Sequence, residues 1–154
     1  MRLKKLFTVA ASAAVLTFTA SAQAKEERTL CVWDIVGKSG DMYNIMKDFS
    51  SEAVSQGYEF RIRTYTDENI AAEDLKAGQC DAAAITGLRG RQFNSFTGSL
   101  DSMGSIPNDR VLRTVIQVLS SNNPNITEKM RSGSYEVYGV APMGAAYLFV
   151  KDNT

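Results

Sequence analysis

"CVWDIVGKSGDMYNIMKDF", residues 31–49, runs from an apolar stretch through Gly37-Lys38-Ser39 into residues spaced like one face of a helix. A phosphate-binding loop has the form G-x-x-x-x-G-K-[ST], whose first glycine lets backbone N–H groups wrap the phosphates. Val32 holds that first position here. The nucleotide reading is therefore weak. What remains is a strand that ends in a turn and feeds a helix N-terminus, a place where open α/β sheets hold ligands of many kinds.

Working outward, "TLCVWDIV" (29–36) predicts a buried strand, being short, rich in β-branched and aromatic residues and bounded by Gly37. From Asp41, the positions Met42, Ile45, Met46, Phe49 and Ala53 follow a helical period up to Gly57. "YEFRIRTY" (58–65) alternates Tyr58, Phe60 and Ile62 with Glu59, Arg61 and Arg63, as a strand near a sheet edge does. Thr66-Asp67 opens a short helix with Ile70, Ala71 and Leu75 facing in, and "CDAAAITG" (80–87) is a third strand. The order β-α-β-α-β predicts a doubly wound, mostly parallel sheet. Residues 87–108, with Gly87, Gly90, Gly98, Gly104 and Pro107, read as a long loop. Asn108 caps a helix carrying Val111, Leu112, Val115, Ile116 and Leu119, and a helical turn near 126–131 precedes the apolar runs "YEVYGVAP" and "AAYLFVK". Met42, Met46, Phe49, Phe60 and Phe149 are the expected core.

Residues 1–24 have the form of a secretory signal peptide: Arg2, Lys4 and Lys5, an apolar stretch, then Ala22-Gln23-Ala24. Three of the 17 basic residues fall in that segment, leaving 14 against 17 acidic ones and a net charge of −3 for residues 25–154. A mildly acidic chain without a basic tract lacks the footprint of a nucleic-acid binder. The sequence contains no histidine, which removes Ser-His-Asp and Cys-His catalysis and His-ligated zinc. No catalytic residue, metal or cofactor is assigned. Cys31 and Cys80 are the two cysteines; in an oxidising compartment they read as a disulfide, joining neighbouring first and third strands near their amino ends.

Ligands in such sheets collect at the carboxyl ends of the strands. The candidates there are Gly37, Lys38 and Ser39, offering amides, an ammonium and a hydroxyl, or else an ordinary turn with Ser39 or Asp41 as helix cap. Thr86 stands at the carboxyl end of the third strand, and Arg89 and Arg91 follow it, where a guanidinium can clamp a carboxylate, or else stand as solvated loop charges. Trp33 and Tyr65 supply an apolar wall, or core packing. Asp34 has no paired carboxylate, so an acid/base dyad is not supported.

These pieces resemble the type II periplasmic solute-binding proteins, particularly the receptors of TRAP-type transporters and the related AdeT-type solute-binding family. The resemblance lies in "CVWDIVGKSGDMYNIMKDF", in "AAEDLKAGQCDAAAITGLRGRQFNSFTGSLDSMGSIP" and in "YGVAPMGAAYLFVK". It implies a periplasmic receptor that captures a small organic solute, with anions among the candidates, and presents it to a membrane transporter. The rival readings are an accessory or adaptor protein of an RND-type efflux system and, less favoured, a phosphate-handling α/β enzyme using Gly37-Lys38-Ser39. Proteins of this kind have a second lobe, whereas this chain stops at Asp152-Asn153-Thr154. Residues 25–154 are thus expected to be the N-terminal lobe alone, binding weakly and self-associating through "AAYLFVK".

Overall fold

The computed structural model describes residues 25–102 and 104–143. Its centre is a three-stranded parallel sheet in the order β2-β1-β3, formed by β1 (Glu26–Trp33), β2 (Tyr58–Tyr65) and β3 (Ala82–Ala84). Leu30 stands beside Ile62 on one side and Ala82 on the other. Helix α1 (Asp41–Ala53) joins β1 to β2, and α2 (Glu68–Lys76) joins β2 to β3.

The chain steps outward from β1 to β2 and then back across β1 to β3. Since parallel crossovers are right-handed, these opposite steps put α1 and α2 on opposite faces. Side chains confirm the division. Leu30 and Val32 pack with Met42, and Met46, Phe60, Ile62, Ala82 and Ala84 close around them on the α1 face. On the other face Arg63 and Tyr65 bond to Asp74 of α2, and Cys31 is fully buried. The sheet is therefore doubly wound, as expected. Each fully buried Leu or Val stabilises the fold by about 1.5–3 kcal/mol, so the core is small and centred on β1.

Several elements depart from their expected bounds. β1 ends at Trp33, not at Val36, and leaves Ile35 and Val36 75% and 62% exposed. The cause is Asp34, whose carboxylate accepts from the Val36 N–H and turns the chain out of the sheet. In α1, Ile45 and Phe49 are about half exposed, because the helix lies along the outer strand and overhangs it; Phe49 stacks on Phe60 at 5.5 Å between ring centroids. In α2 the buried residues are Ala71 and Ala72, while Ile70 is exposed. Two alanines allow that helix to approach the sheet closely.

The expected long loop contains two short helices, α3 (Gly87–Gly90) and α4 (Ser95–Leu100). Each is started by a side-chain cap: Thr86 accepts from the Arg89 N–H, and Asn94 from the Phe96 N–H. Asn108 caps α5 (Asp109–Leu119) as expected, and Asn123 caps α6 (Pro124–Lys129), with proline in its first turn. "YEVYGVAP" contributes only β5 (Tyr135–Glu136), paired antiparallel with β4 (Arg131–Ser132). Residues 1–24, "AAYLFVK" and Phe149 lie outside the described residues.

The Cys31–Cys80 disulfide is present, with the two Cα atoms 5.9 Å apart. Cys31 is not at the amino end of its strand, since β1 begins five residues before it; Cys80 stands two residues before β3.

Candidate functional site

The carboxyl ends of the three strands open into turns that start α1, α2 and α3. The first turn answers the question raised by Gly37-Lys38-Ser39. These residues form a single 3-10 turn, Gly37 with a positive φ of 67° that suits glycine, and Gly40 is the N-cap of α1 without a side-chain cap of its own. The carboxylate of Asp34 occupies the position an anion would take. It accepts from the Val36 and Tyr43 N–H groups, each at 3.1 Å, and is buried, with 5% of the residue exposed. A Cβ on Gly40 would stand 1.8 Å from Asp34 Oδ1, so glycine there is what lets the carboxylate in. The positive end of the α1 dipole is neutralised by the chain itself.

The third turn is built the same way. Glu68, in the first turn of α2, accepts from the Thr86 N–H at 2.5 Å, and its other oxygen lies 3.7 Å from Arg89 Nε. The Asp101 carboxylate accepts from the Leu88 N–H at 2.7 Å. Asp67 caps α2 through the Asn69 N–H at 2.8 Å. Backbone donors around the rim are thus engaged by internal carboxylates.

The structure brings Thr86 and Arg89 together around Glu68, and packs Gly37 near Thr66 at the end of β2. Lys38 and Ser39 are exposed. Arg91 is carried away from the strand end: its aliphatic stem lies over Gly98, where a Cβ would meet Cγ at 2.1 Å. Neither Lys38 nor Arg91 has a carboxylate partner within 4 Å among the described residues. Trp33 and Tyr65 are adjacent across the β1–β2 ladder and half-buried. The Tyr65 hydroxyl is turned to α2, where it donates to Asp74 at 2.6 Å and lies 3.3 Å from Cys31 Sγ. Burial first, and then the bond to Asp74, push its pKa up from 10.0 to about 12 against the opposing charge of Arg63.

From the sequence Asp34 stands out only as an unpaired carboxylate, and Glu68 and Asp101 do not stand out at all. Their partners are backbone amides, which carry no sequence signature. Among the described residues no cluster of three or more Cys, Asp or Glu side chains is placed to hold a metal ion, and no helix is long and apolar enough to cross a membrane. What the rim presents outward is side chains: the ammonium of Lys38 and the exposed Ile35, Val36 and Leu88, while the exposed Arg91 lies over Gly98 of α4.

A doubly wound α/β lobe whose turns meet at the strand ends belongs to the architectures that hold ligands at a topological switch point. Comparison with known proteins narrows this. A family model described as solute-binding protein AdeT 1/2 matches residues 50–154. The chain is 46% identical over 123 residues to the "Probable solute-binding protein AdeT1" of Acinetobacter baumannii, covering 80% of this chain and 40% of that protein. It is 37% identical over 54 residues to "Probable solute-binding protein AdeT2" of the same organism, covering 35% of this chain and 22% of that one. No solved structure matches the chain at a comparable level. The chain belongs to the AdeT 1/2 family of solute-binding proteins, and spans less than half the length of these relatives.

Proposed function

We propose that this chain is the N-terminal lobe of an exported, periplasmic solute receptor, cut after Ala24, that holds a small organic solute against its strand-end rim for delivery to a membrane transporter, without catalysis. Family membership carries the reading. The rim supports a particular mode of contact. With the α1 amides occupied by Asp34, a solute meets side chains: Lys38 for a carboxylate, Trp33, Ile35, Val36 and Leu88 for its apolar part, and Ser39 for a hydroxyl. Helix N-termini hold free oxyanions through backbone N–H groups; this rim suits an organic acid better than inorganic phosphate. Thr86 and Arg89 act from behind, by fixing the β3–α3 turn.

The chain's single tryptophan stands at the rim, so its emission reports occupancy. Titration of the exported protein with a panel of organic acids is expected to change Trp33 fluorescence saturably for some member, with weak affinity of about millimolar for one lobe. Lys38→Glu is expected to abolish the change. Saturable binding that ignores this substitution, or turnover of a nucleotide, would overturn the reading.

A further inference from the structure

We propose that the outer edge of β2 is a homodimer interface, with two copies joined by antiparallel β2–β2 pairing about a two-fold axis at Phe60. Among the described residues β2 has a strand partner on one side only, since the sheet order is β2-β1-β3. The Glu26 N–H donates to the Gly57 carbonyl and the Asp34 N–H to the Tyr65 carbonyl, which marks the odd-numbered residues of β2 as facing β1. In a parallel ladder both polar groups of a residue point the same way. Tyr58, Phe60, Ile62 and Thr64 therefore turn their N–H and C=O groups to the open edge. The Ser50 hydroxyl donates to the Phe60 carbonyl at 3.3 Å; a carbonyl has a second lone pair, so this contact leaves room for another donor.

The side chains fit the same symmetry. With Phe60 on the axis, Phe60 pairs with Phe60 of the second copy and Tyr58 with its Ile62, and these are hydrogen-bonded positions. Glu59 then faces Arg61 of the second copy, twice, at the non-hydrogen-bonded positions where opposing side chains come closest. Moving the axis to Arg61 would set Arg61 against Arg61 between two Glu59–Arg63 pairs, and moving it to Glu59 would set Glu59 against Glu59, so charge favours the Phe60 register. Charged residues on an edge strand commonly prevent pairing; here their alternating sign matches a second copy of the same strand. Apolar surface borders the edge as well: Phe49 is 51% exposed, Ile45 46% and Tyr58 43%. A C2 contact of this kind is self-complementary and closes at two copies.

Sedimentation of the exported full chain tests the proposal, with Glu59→Arg, Arg61→Glu and the double charge exchange compared. The wild type is expected to dimerise. Each single exchange places like charges across the axis and weakens association about tenfold, whereas the double exchange returns it to within about threefold. In the wild type the amides of Tyr58, Phe60 and Ile62 are expected to exchange more slowly as protein concentration rises, a readout that needs no variant. A wild type that stays monomeric at about 0.1 mM, single exchanges without effect, a double exchange that fails to restore association, or concentration-independent exchange at these amides would overturn it.

Discussion

Residues 26–84 and residues 87–136 are held together by different means. The first part is a ladder between strands far apart in sequence, with Cys31, Val32 and Ala71 fully buried and a disulfide across it. In the second, α5 carries an apolar stripe in which no residue is fully buried. Phe96 and Leu100 of α4, Val115, Val118 and Leu119 of α5 and Ile126 of α6 line a shallow apolar groove instead. Local caps start each helix there, and long-range ties are few: Asn94 Nδ2 donates to the Lys129 carbonyl at 2.9 Å, and Phe93 packs on Tyr135 at 4.8 Å between centroids. The buried core thus belongs to the ladder, and the helical segment meets it through Arg89 Nε 3.7 Å from the Glu68 carboxylate and Lys76 Nζ 5.9 Å from the Phe93 ring centroid.

Removing both cysteines tests that contrast most strongly. Loss of a bridge across 49 residues is expected to destabilise the protein by about 4 kcal/mol in the chain-entropy model. Amide exchange should accelerate first in β1 and β3. An unchanged denaturation midpoint would mean the ladder suffices without the bond. Next in size is Asp34→Ala, which strips two charge-assisted bonds from the start of α1 and is expected to cost about 3 kcal/mol. Its amide signature is local, at Val36 and Tyr43, and in the wild type those two amides are expected to ignore inorganic phosphate. A saturable shift with phosphate would show that Asp34 yields its place.

Asn94→Ala probes the second region. Asn94 caps α4, and its amide is the buried tie to the end of α6, so about 2 kcal/mol is expected to be lost. Exchange should quicken in 95–129 while β1 stays protected; equal acceleration in both regions would show that they unfold as one. The smallest effect is a pH dependence. Tyr65 has its pKa raised to about 12 in the folded state, so the fold favours the protonated phenol. Stability is full below about pH 10 and falls as pH rises toward 12. Ultraviolet titration is expected to show one tyrosine ionising late, and Tyr65→Phe to remove both that step and part of the alkaline loss.

The ladder was the legible part. Strand identity followed from apolar runs between glycines, and the cysteine pair from its number and setting. Asn108 announced α5 because an amphipathic stripe follows it. By contrast Thr86 and Asn94 sit among glycines and serines, and a capping Thr or Asn looks the same as one in an open loop until its amide partner is located. Ile70 reads as inward for its hydrophobicity, yet the sheet face that receives α2 carries Arg63, Tyr65 and the disulfide, and alanines fit against it better. At the rim, Gly37, Lys38 and Ser39 stand out because they resemble a known motif, while Asp34, which fills that turn, acts through groups common to every residue. The motif marks the turn and not the carboxylate that fills it.

The disulfide also makes part of this chain a closed covalent circle. Cys31 and Cys80 enclose α1, β2 and α2, so the sheet's outer strand lies on a loop with both ends fastened near the sheet's centre. Such a strand has no free end to exchange with a neighbouring molecule. Reciprocal domain swapping of β2, a common hazard for a paired edge, would require the whole circle to move or the bond to be reduced first. A protease that nicks an exposed turn such as 54–57 would likewise leave two pieces held as one until a reductant is added. The same bond that stabilises the ladder therefore keeps any association along β2 a matter of touching surfaces, reversible by dilution.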